Sequence, residues 1–384
     1  DMTKKEFGSG VVYWCPYGDI NDMEFVAKHP ELQVKHIMNS DGRLNENAGK
    51  YQGMKSEEAR REVLEDWKRV GAIVKQEPTT QVVNAHERCG TPIEFIAINQ
   101  WAIKILDLKE TWLELGEKIN WFPLHMKNRY DNWAKGLKWD WNISRQIFFG
   151  VPFPVWYCEK CTEPIMAKLE DLPVDPTVDS APITNCPKCN HNKIIGENDI
   201  MNTWTTSCSS PQLAIELLDN VEVKKQLYPM NLRPQGHDII SFWLFNTVVK
   251  AHLHYNSLPW KDAMITGWAL DPKGKKMSKS KGNVIEPQVM IEKYSSDALR
   301  FWAGAATLGS DLPFQEKDLL TGKKFVNKLW NASKFTCIHL EDFKPQAEQA
   351  VTESFDHWLL IKLQKAIQDA TNHFDKYEYA KAKA

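Results

Sequence analysis

The period of apolar positions changes several times along this chain, and the changes divide it. Residues 10–14 form a short apolar run with β-branched Val11 and Val12, which predicts a buried strand. Pro16-Tyr17-Gly18 breaks the run, and Asp19 is placed to cap a helix through Phe25 and Ala27. Ser56 opens a second helix in which Ala59, Val63, Trp67 and Val70 share one face, with Gly71 marking its end. Residues 72–75 read as another strand, so residues 1–84 are expected to be part of a small α/β domain entered partway through. Residues 86–157 are mixed and rich in tryptophan, without a clean period. Residues 158–195 set two cysteine pairs among Pro, Asp, Thr and Asn, the composition of a loop-built knuckle spanning about 155–195. Residues 200–310 alternate again: a helix at 239–250, a strand at 264–266, a Lys/Gly loop at 273–282 and a helix at 297–306. That βα order predicts a parallel sheet, and residues 85–310 form a second α/β domain on this reading. From Phe325 onward the pattern is helical. Leu359, Leu363, Ala366, Ile367, Ala370 and Phe374 make one apolar stripe, and residues 311–384 are set apart as a helical region.

Composition narrows the class. A chain of 384 residues with 42% hydrophobic and 26% charged residues is an ordinary globular protein of two to four domains. The net charge of -2 excludes a polycation, so any nucleic-acid contact must come from local basic patches. Sixteen tryptophans supply large surfaces for a core or for stacking on bases and ligands. The start, Asp1-Met2-Thr3-Lys4-Lys5, leads into no apolar stretch and is no signal peptide. The longest apolar run, 239–249, is interrupted by Ser241 and Asn246 and is too short to span a bilayer, so no membrane is expected. Eight cysteines in a chain this long are no disulfide scaffold, and a reducing cytoplasm fits them better. The first residue is not Met and the last segment stops inside a helical pattern, so the chain reads as an internal fragment.

Residues 273–282 read Lys-Gly-Lys-Lys-Met-Ser-Lys-Ser-Lys-Gly, with hydroxyls set between lysines and a glycine near each end. Such a loop suits a polyphosphate whose charge grows in a transition state, although a run of charge is more often a solvated face. The string itself decides. Lys276-Met277-Ser278-Lys279-Ser280, flanked by Gly267-Trp268-Ala269-Leu270-Asp271-Pro272 and Gly282-Asn283-Val284-Ile285, resembles the signature loop of the class I aminoacyl-tRNA synthetases. The resemblance implies that the loop closes over ATP, that Lys276 and Lys279 are catalytic in stabilising the departing pyrophosphate, and that Ser278 and Ser280 donate to phosphate. It implies the second half of a Rossmann-like parallel-sheet catalytic domain, with Mg²⁺ neutralising the phosphates.

Other stretches fit the same family. Pro234-Gln235-Gly236-His237-Asp238 leads into the apolar helix, where a glycine lets a ligand approach the backbone. Asp238 is either a helix cap or an acceptor for a ribose hydroxyl or substrate ammonium. Beside the lysine loop the stretch resembles the family's Gly-x-Asp element, which implies ATP binding by Gly236, His237 and Asp238. Asn202-Thr203-Trp204 resembles the family's Asp-Thr-Trp element, with Asn202 in place of the acid; this implies Trp204 as a wall of the amino-acid pocket, although a tryptophan is by default core. Residues 139–146, Trp-Asp-Trp-Asn-Ile-Ser-Arg-Gln, resemble the segment where the family's chain returns from its editing insertion, with Arg145 either touching phosphate or supporting the fold.

Cys158-x-x-Cys161 and Cys186-x-x-Cys189 can each bite one face of a tetrahedral Zn²⁺, which predicts a closed structural site; His191 is a fallback ligand. Cys15, Cys89, Cys208 and Cys337 read as small hydrophobes. Residues 8–22 resemble the end of the editing site in the valyl/isoleucyl/leucyl subgroup. Asp19 and Asp22, one helical turn apart, are good helix-cap chemistry on their own. By resemblance Asp22 would hold the ammonium of a misattached amino acid and Asp19 would frame the site. The family's other ATP element, His-x-Gly-His, does not occur in these residues. Within the subgroup, Thr203-Trp204, the editing stretch and Phe325-Val326-Asn327-Lys328-Leu329-Trp330-Asn331 favour the valyl members. The implied substrates are valine and ATP, the partner is tRNA(Val), mischarged threonine is edited, and the chain is expected to be a monomer ending in the start of a helical anticodon-binding bundle. The rivals are an isoleucyl or leucyl member and a non-catalytic zinc-ribbon protein that binds nucleic acid.

Overall fold

The computed structural model describes residues 6, 10, 14–80, 82–86, 89–344 and 351–384. The strand expected at 10–14 lies outside the described residues except at its two ends. The chain forms two compact units, residues 1–100 and 101–384, so the first ends later than the boundary at 84 read from the sequence.

In the first unit, α1 (Ile20–Lys28) and α2 (Ser56–Arg69) are the α-helices among the described residues. Glu57 and Glu58 in the first turn of α2, with Lys68 and Arg69 in its last, complement the helix dipole. Of the face predicted for α2, Ala59 is buried while Trp67 and Val70 are exposed. The helix is instead tied by polar groups: the Tyr51 hydroxyl donates to Asp66 Oδ2 at 2.5 Å, and Lys50 pairs with the same carboxylate. Residues 72–75, expected as a strand, pair with no other strand. A short apolar run becomes one only when its backbone groups find a ladder partner.

The second unit is built on α3 (Lys109–Glu117), β1 (Asn120–Phe122), α4 (Lys127–Lys135), the knuckle strands β2 (Val155–Cys158), β3 (Pro164–Met166) and β4 (Ile194–Gly196), then β5 (Met230–Gly236), α5 (Phe245–Tyr255), β6 (Trp260–Thr266), α6 (Ser296–Ala303), α7 (Glu316–His339) and α8 (Ser354–Phe374). The expected parallel sheet is present, in the order β5-β6-β1. β5 and β6 run in register from Met230 opposite Trp260 to Gly236 opposite Thr266. Asp262 of β6 faces Asn120 of β1, and their side chains bond at 2.8 Å.

Two local starts differ from the sequence reading. The helix expected at 239–250 begins as a 3₁₀ turn (His237–Ile239), passes through one π-helical turn (Ile240–Leu244) and becomes α-helical only at Phe245. π-turns concentrate at functional sites, and this one directly follows the Gly-His-Asp element. The helical pattern expected from Phe325 starts earlier, at Glu316 in α7.

Aromatic residues fill the core beneath the sheet. Trp112 and Tyr130 are fully buried, and each has its polar atom satisfied. The Trp112 indole donates to Ile105 O and the Tyr130 hydroxyl to Trp112 O, both at 2.8 Å. Trp243 stacks on Trp260 at 5.5 Å, and the Arg233 guanidinium lies 3.2 Å over the Trp243 ring, its pKa lowered by burial to about 10. Among the described residues no helix is long and apolar enough to cross a membrane.

Replacing Trp112 by alanine empties a fully buried site and removes the indole N–H donated to Ile105 O, which keeps only the Leu108 N–H at 3.3 Å. The expected loss is about 3–5 kcal/mol, read as a lower urea midpoint at unchanged slope.

Candidate functional site

The carboxyl ends of β5 and β6 lie side by side, because their register holds to the last pair, Gly236 and Thr266. In open α/β sheets ligands bind at such strand ends. Gly236 ends β5, and a Cβ there would stand 2.7 Å from Asp238 Oδ1, so the absence of a side chain lets the Asp238 carboxylate fold back over the turn. His237 follows, largely buried. Its Nε2 lies 3.1 Å from Asp311 Oδ1 and its Nδ1 lies 3.3 Å from an Arg129 guanidinium nitrogen. A carboxylate only accepts and a guanidinium only donates, so the partners select the tautomer protonated at Nε2. Asp311 also accepts the backbone N–H of Trp268 at 2.8 Å. That N–H first, then the His237 contact, hold its carboxyl below the usual aspartate range, against partial burial.

After β6 the chain passes Gly267, where a Cβ would meet Ser310 O at 2.1 Å, a distance no side chain tolerates. The lysine loop is clipped from below by two residues. Buried Asp271 accepts the backbone N–H groups of Lys273 at 2.9 Å and Lys275 at 2.8 Å through Oδ1, and the Asn283 amide at 2.9 Å through Oδ2. Asn283 also donates to Lys276 O at 3.2 Å and accepts Ser278 N–H at 2.9 Å. The Asn283 amide, followed by the Lys275 and Lys273 N–H groups, lowers the Asp271 pKa. Ser278 and Ser280 hydroxyls stand 3.3 Å apart. Lys279 opens an exposed 3₁₀ turn (Lys279–Lys281). The Lys276 ammonium lies 4.1 Å over the Trp268 ring, and that ring is 4.9 Å from His237. The lysine loop and the Gly236–Asp238 turn therefore meet through Trp268. Sequence reading singled out the lysines, serines, Gly236, His237 and Asp238. It missed Arg129, Asp311, Asp271 and Asn283 as partners, and it saw Trp268 only as flank.

A second cavity, of about 360 Å³, is lined by Trp133, Trp141, Trp204, Phe242, Arg145 and Asn202. Trp204 is stacked with Phe242 at 6.4 Å, with its ring partly buried on the cavity wall. Asn202 caps the short helix Thr203–Ser207, its Oδ1 accepting Trp204 N–H at 3.1 Å, so an amide does here what an acid would do at that cap. Arg145 donates to Ser144 O at 2.6 Å and Asn142 Oδ1 at 3.2 Å, which supports the fold while leaving it on the cavity lining.

The four paired cysteines are free thiols, and their sulfurs all lie within 4.8 Å of one another. Cys158 Sγ is 3.5 Å from Cys189 Sγ, and Cys161 Sγ is 3.5 Å from Cys186 Sγ. The two pairs are built alike. Thr162 and Asn190, each just after its pair, adopt positive φ of 56° and 57°. Each donates its N–H back to the first cysteine carbonyl at 2.9 Å. Burial opposes ionisation of Cys158, but the N–H groups of Cys161 and Lys160 and the neighbouring thiols bring its pKa down to about 6. At Cys161 the Glu163 N–H lowers the pKa, yet burial and the other thiols push it up to about 12. The fallback ligand His191 instead turns toward Glu159, at 3.7 Å.

In the first unit Asp19 and Asp22 form a capping box for α1. Asp19 Oδ1 accepts the N–H groups of Asn21 at 2.7 Å and Asp22 at 3.0 Å, and Asp22 Oδ2 accepts Asp19 N–H at 3.2 Å. Asp19 also lines a cavity of about 880 Å³ with Asp41, Lys55, Arg60, Arg61 and Glu94. Of the four unpaired cysteines, Cys208 is buried as expected, whereas Cys15, Cys89 and Cys337 are exposed. Cys89 is no mere hydrophobe: its sulfur lies 3.3 Å from His86 Nδ1 and 3.2 Å from Thr91 Oγ1.

A parallel sheet with a lysine loop and a Gly-His-Asp turn at its carboxyl edge places the chain among α/β domains. Residues 7–315 match the family model of the tRNA synthetases class I (I, L, M and V), and the chain belongs to that family. It is 42% identical over 377 residues to the valine–tRNA ligase of Thermoplasma acidophilum, covering 98% of this chain and 47% of that protein. It is 41% identical over 380 residues to that of Methanocaldococcus jannaschii, covering 98% of this chain and 43% of that protein. The chain thus spans about half the length of the curated relatives it matches. Two solved structures share the fold. One is a LeuRS of Agrobacterium radiobacter K84 in ternary complex with tRNA and LeuAMS (TM-score 0.54, 20% identity, 64% of this chain and 34% of that one). The other is the methionyl-tRNA synthetase of Mycobacterium tuberculosis with methionyl-adenylate (TM-score 0.55, 18% identity, 78% of this chain and 53% of that one). A family match of this extent sets aside the zinc-ribbon rival.

The Asp271 clip predicts a pH response. A carboxylate whose folded pKa lies below its ordinary 3.8 contributes stability that is full above 3.8 and is lost as pH falls through the lower folded value. The Lys273 and Lys275 amides should keep their hydrogen-exchange protection down to pH 4 and lose it below. Asp271→Asn should remove that pH dependence and speed exchange at neutral pH.

Proposed function

We propose that this chain carries the pyrophosphate-facing half of the activation site of a valine–tRNA ligase. The observation that carries the reading is the meeting of the lysine loop with the Gly236–Asp238 turn through Trp268 at a parallel-sheet edge. Valine–tRNA ligases among the relatives at about 40% identity favour valine over isoleucine and leucine. The reaction is attack of a valine carboxylate oxygen on the α-phosphorus of ATP. A mixed anhydride forms and the bond to pyrophosphate breaks; the terminal ribose hydroxyl of tRNA(Val) then attacks the valyl carbonyl, an ester forms, and the anhydride C–O bond breaks to release AMP. Lys276 and Lys279 offset charge on the departing pyrophosphate, and the Ser278 and Ser280 hydroxyls donate to it. Mg²⁺ adds to that charge neutralisation when bound. Gly236 leaves room for the nucleotide, His237 is fixed between Asp311 and Arg129 to border it, and Asp238 accepts from ribose or from the substrate ammonium. Trp204, with Asn202 holding its helix start, forms a wall of the amino-acid pocket.

The four-thiol cluster fits Zn²⁺. A tetrahedron with Zn–S bonds of about 2.3 Å sets its sulfurs roughly 3.8 Å apart, close to the 3.5 Å of the pairs Cys158–Cys189 and Cys161–Cys186. Cys158, Cys161, Cys186 and Cys189 would hold the ion, whose role is to brace the knuckle. In the first unit the large cavity beside Asp19 supports a hydrolytic pocket for mischarged threonine. The use of Asp22 in the α1 cap favours a part for it in shaping the turn as well as in binding an ammonium. Exposed Phe325, Leu329, Trp330 and Trp358 on α7 and α8 support the reading of these helices as the start of an anticodon-binding bundle.

A non-hydrolysable valyl-adenylate analogue at a hundredfold its dissociation constant should stabilise the protein by about 2.7 kcal/mol in a thermal-shift assay. Isoleucyl and leucyl analogues at equal concentration should do less. Equal or stronger stabilisation by either would overturn the valine assignment, and no stabilisation by any would overturn the site. Metal analysis should find one zinc per chain, lost together with thermal stability in Cys186→Ser; a metal-free protein of unchanged stability would refute the zinc reading.

A further inference from the structure

We propose that Trp268 is a positioning residue for Lys276: its ring holds the ammonium within reach of the phosphates and stays in contact when they bind. This rests on the reading of the lysine loop as the pyrophosphate site.

Three observations converge on this side chain. The Lys276 ammonium sits 4.1 Å over the ring, well inside the range where the negative face of an indole attracts a cation. The ring lies 4.9 Å from His237, and the Trp268 backbone is anchored by its N–H on Asp311 at 2.8 Å. It is therefore a fixed surface attached to the nucleotide turn. The indole N–H is buried and has no partner among the described residues. The N–H therefore contributes no bond here, and what the side chain offers its neighbours is its ring face.

The physical gain is in order. Lysine loses much rotamer freedom when its ammonium is pinned to a ligand. Here Asn283 fixes the Lys276 backbone carbonyl and Trp268 fixes the far end of the side chain. An ammonium resting on a ring still has N–H groups directed away from it, so ring and phosphate bind opposite sides of one cation. Binding then meets a lysine that is already placed.

Calorimetric titration of the 384-residue chain with inorganic pyrophosphate, with Mg²⁺ present, tests this. Trp268→Leu should weaken binding roughly two- to five-fold, the range of one exposed cation–ring contact. Trp268→Phe, which also lacks the indole N–H but keeps a ring face, should recover most of that loss. In a Lys276→Ala background, Trp268→Leu should have no further effect. Equal losses for the leucine and phenylalanine variants would overturn the proposal, as would the same loss with and without Lys276. Unchanged binding in Trp268→Leu would also overturn it. Tighter binding would mean that the ring competes for the ammonium, and would overturn it too. If Lys276→Ala binds pyrophosphate as well as the parent, or the parent does not bind it, the phosphate reading of the loop fails and takes this proposal with it. If Lys276→Ala binds weakly and only the tryptophan pattern fails, the phosphate reading stands alone.

Discussion

The site depends on one pairing: β5 against β6, parallel and in register up to Gly236 and Thr266. Each strand releases its loop at the same level of the sheet. One loop begins with the Gly-His-Asp turn and the other leads into the lysine stretch, so two segments some forty positions apart start as neighbours. A slip of one residue would turn every side chain of β6 to the other face and separate the loops. The slip is blocked from both sides. Trp260, Ala263 and Ile265 are buried on β6, and Asp262 is held on the other edge by Asn120 and Tyr377.

Charge at this edge is arranged with economy. Two carboxylates, Asp271 and Asp311, spend their acceptor capacity on backbone N–H groups and on single side chains instead of pairing with the loop lysines. Pairing them with lysines would have neutralised the loop's cations. As placed, the acids shape the backbone, and the Lys276 ammonium rests on the Trp268 ring without a carboxylate partner among the described residues. The tryptophans divide by a similar logic. Trp112, Trp121, Trp243 and Trp260 are core, while Trp133, Trp141 and Trp204 line a cavity and Trp268 serves as a platform.

Much of this was legible from the residues. The parallel sheet followed from the βα order, and the lysine loop and glycine turn from short, distinctive strings of residues. The cysteine spacing anticipated four converging sulfurs. What could not be read were partners from distant segments. Asp311 lies seventy-four positions from His237 and Arg129 lies one hundred and eight from it, and no local pattern announces either. The same limit hid Trp268 as the contact between Lys276 and His237. Local rules also erred where packing was absent. The apolar face of α2 is largely exposed because polar ties at Asp66 hold that helix, and the run at 72–75 found no strand to join.

The two cysteine turns of the knuckle are copies of one backbone shape, each closed by its own hydrogen bond from a residue of positive φ. Each turn thereby fixes its two sulfurs locally, the first with added support from Glu163 just beyond it. That connecting stretch is longer than the usual window of roughly 15–20 residues. Its start is part of the first turn's support, through Glu163 and the β2–β3 pairing, but the stretch beyond β3 makes no such contact with the sulfurs, so the knuckle behaves as a clasp whose halves are preshaped and whose strap can vary in length.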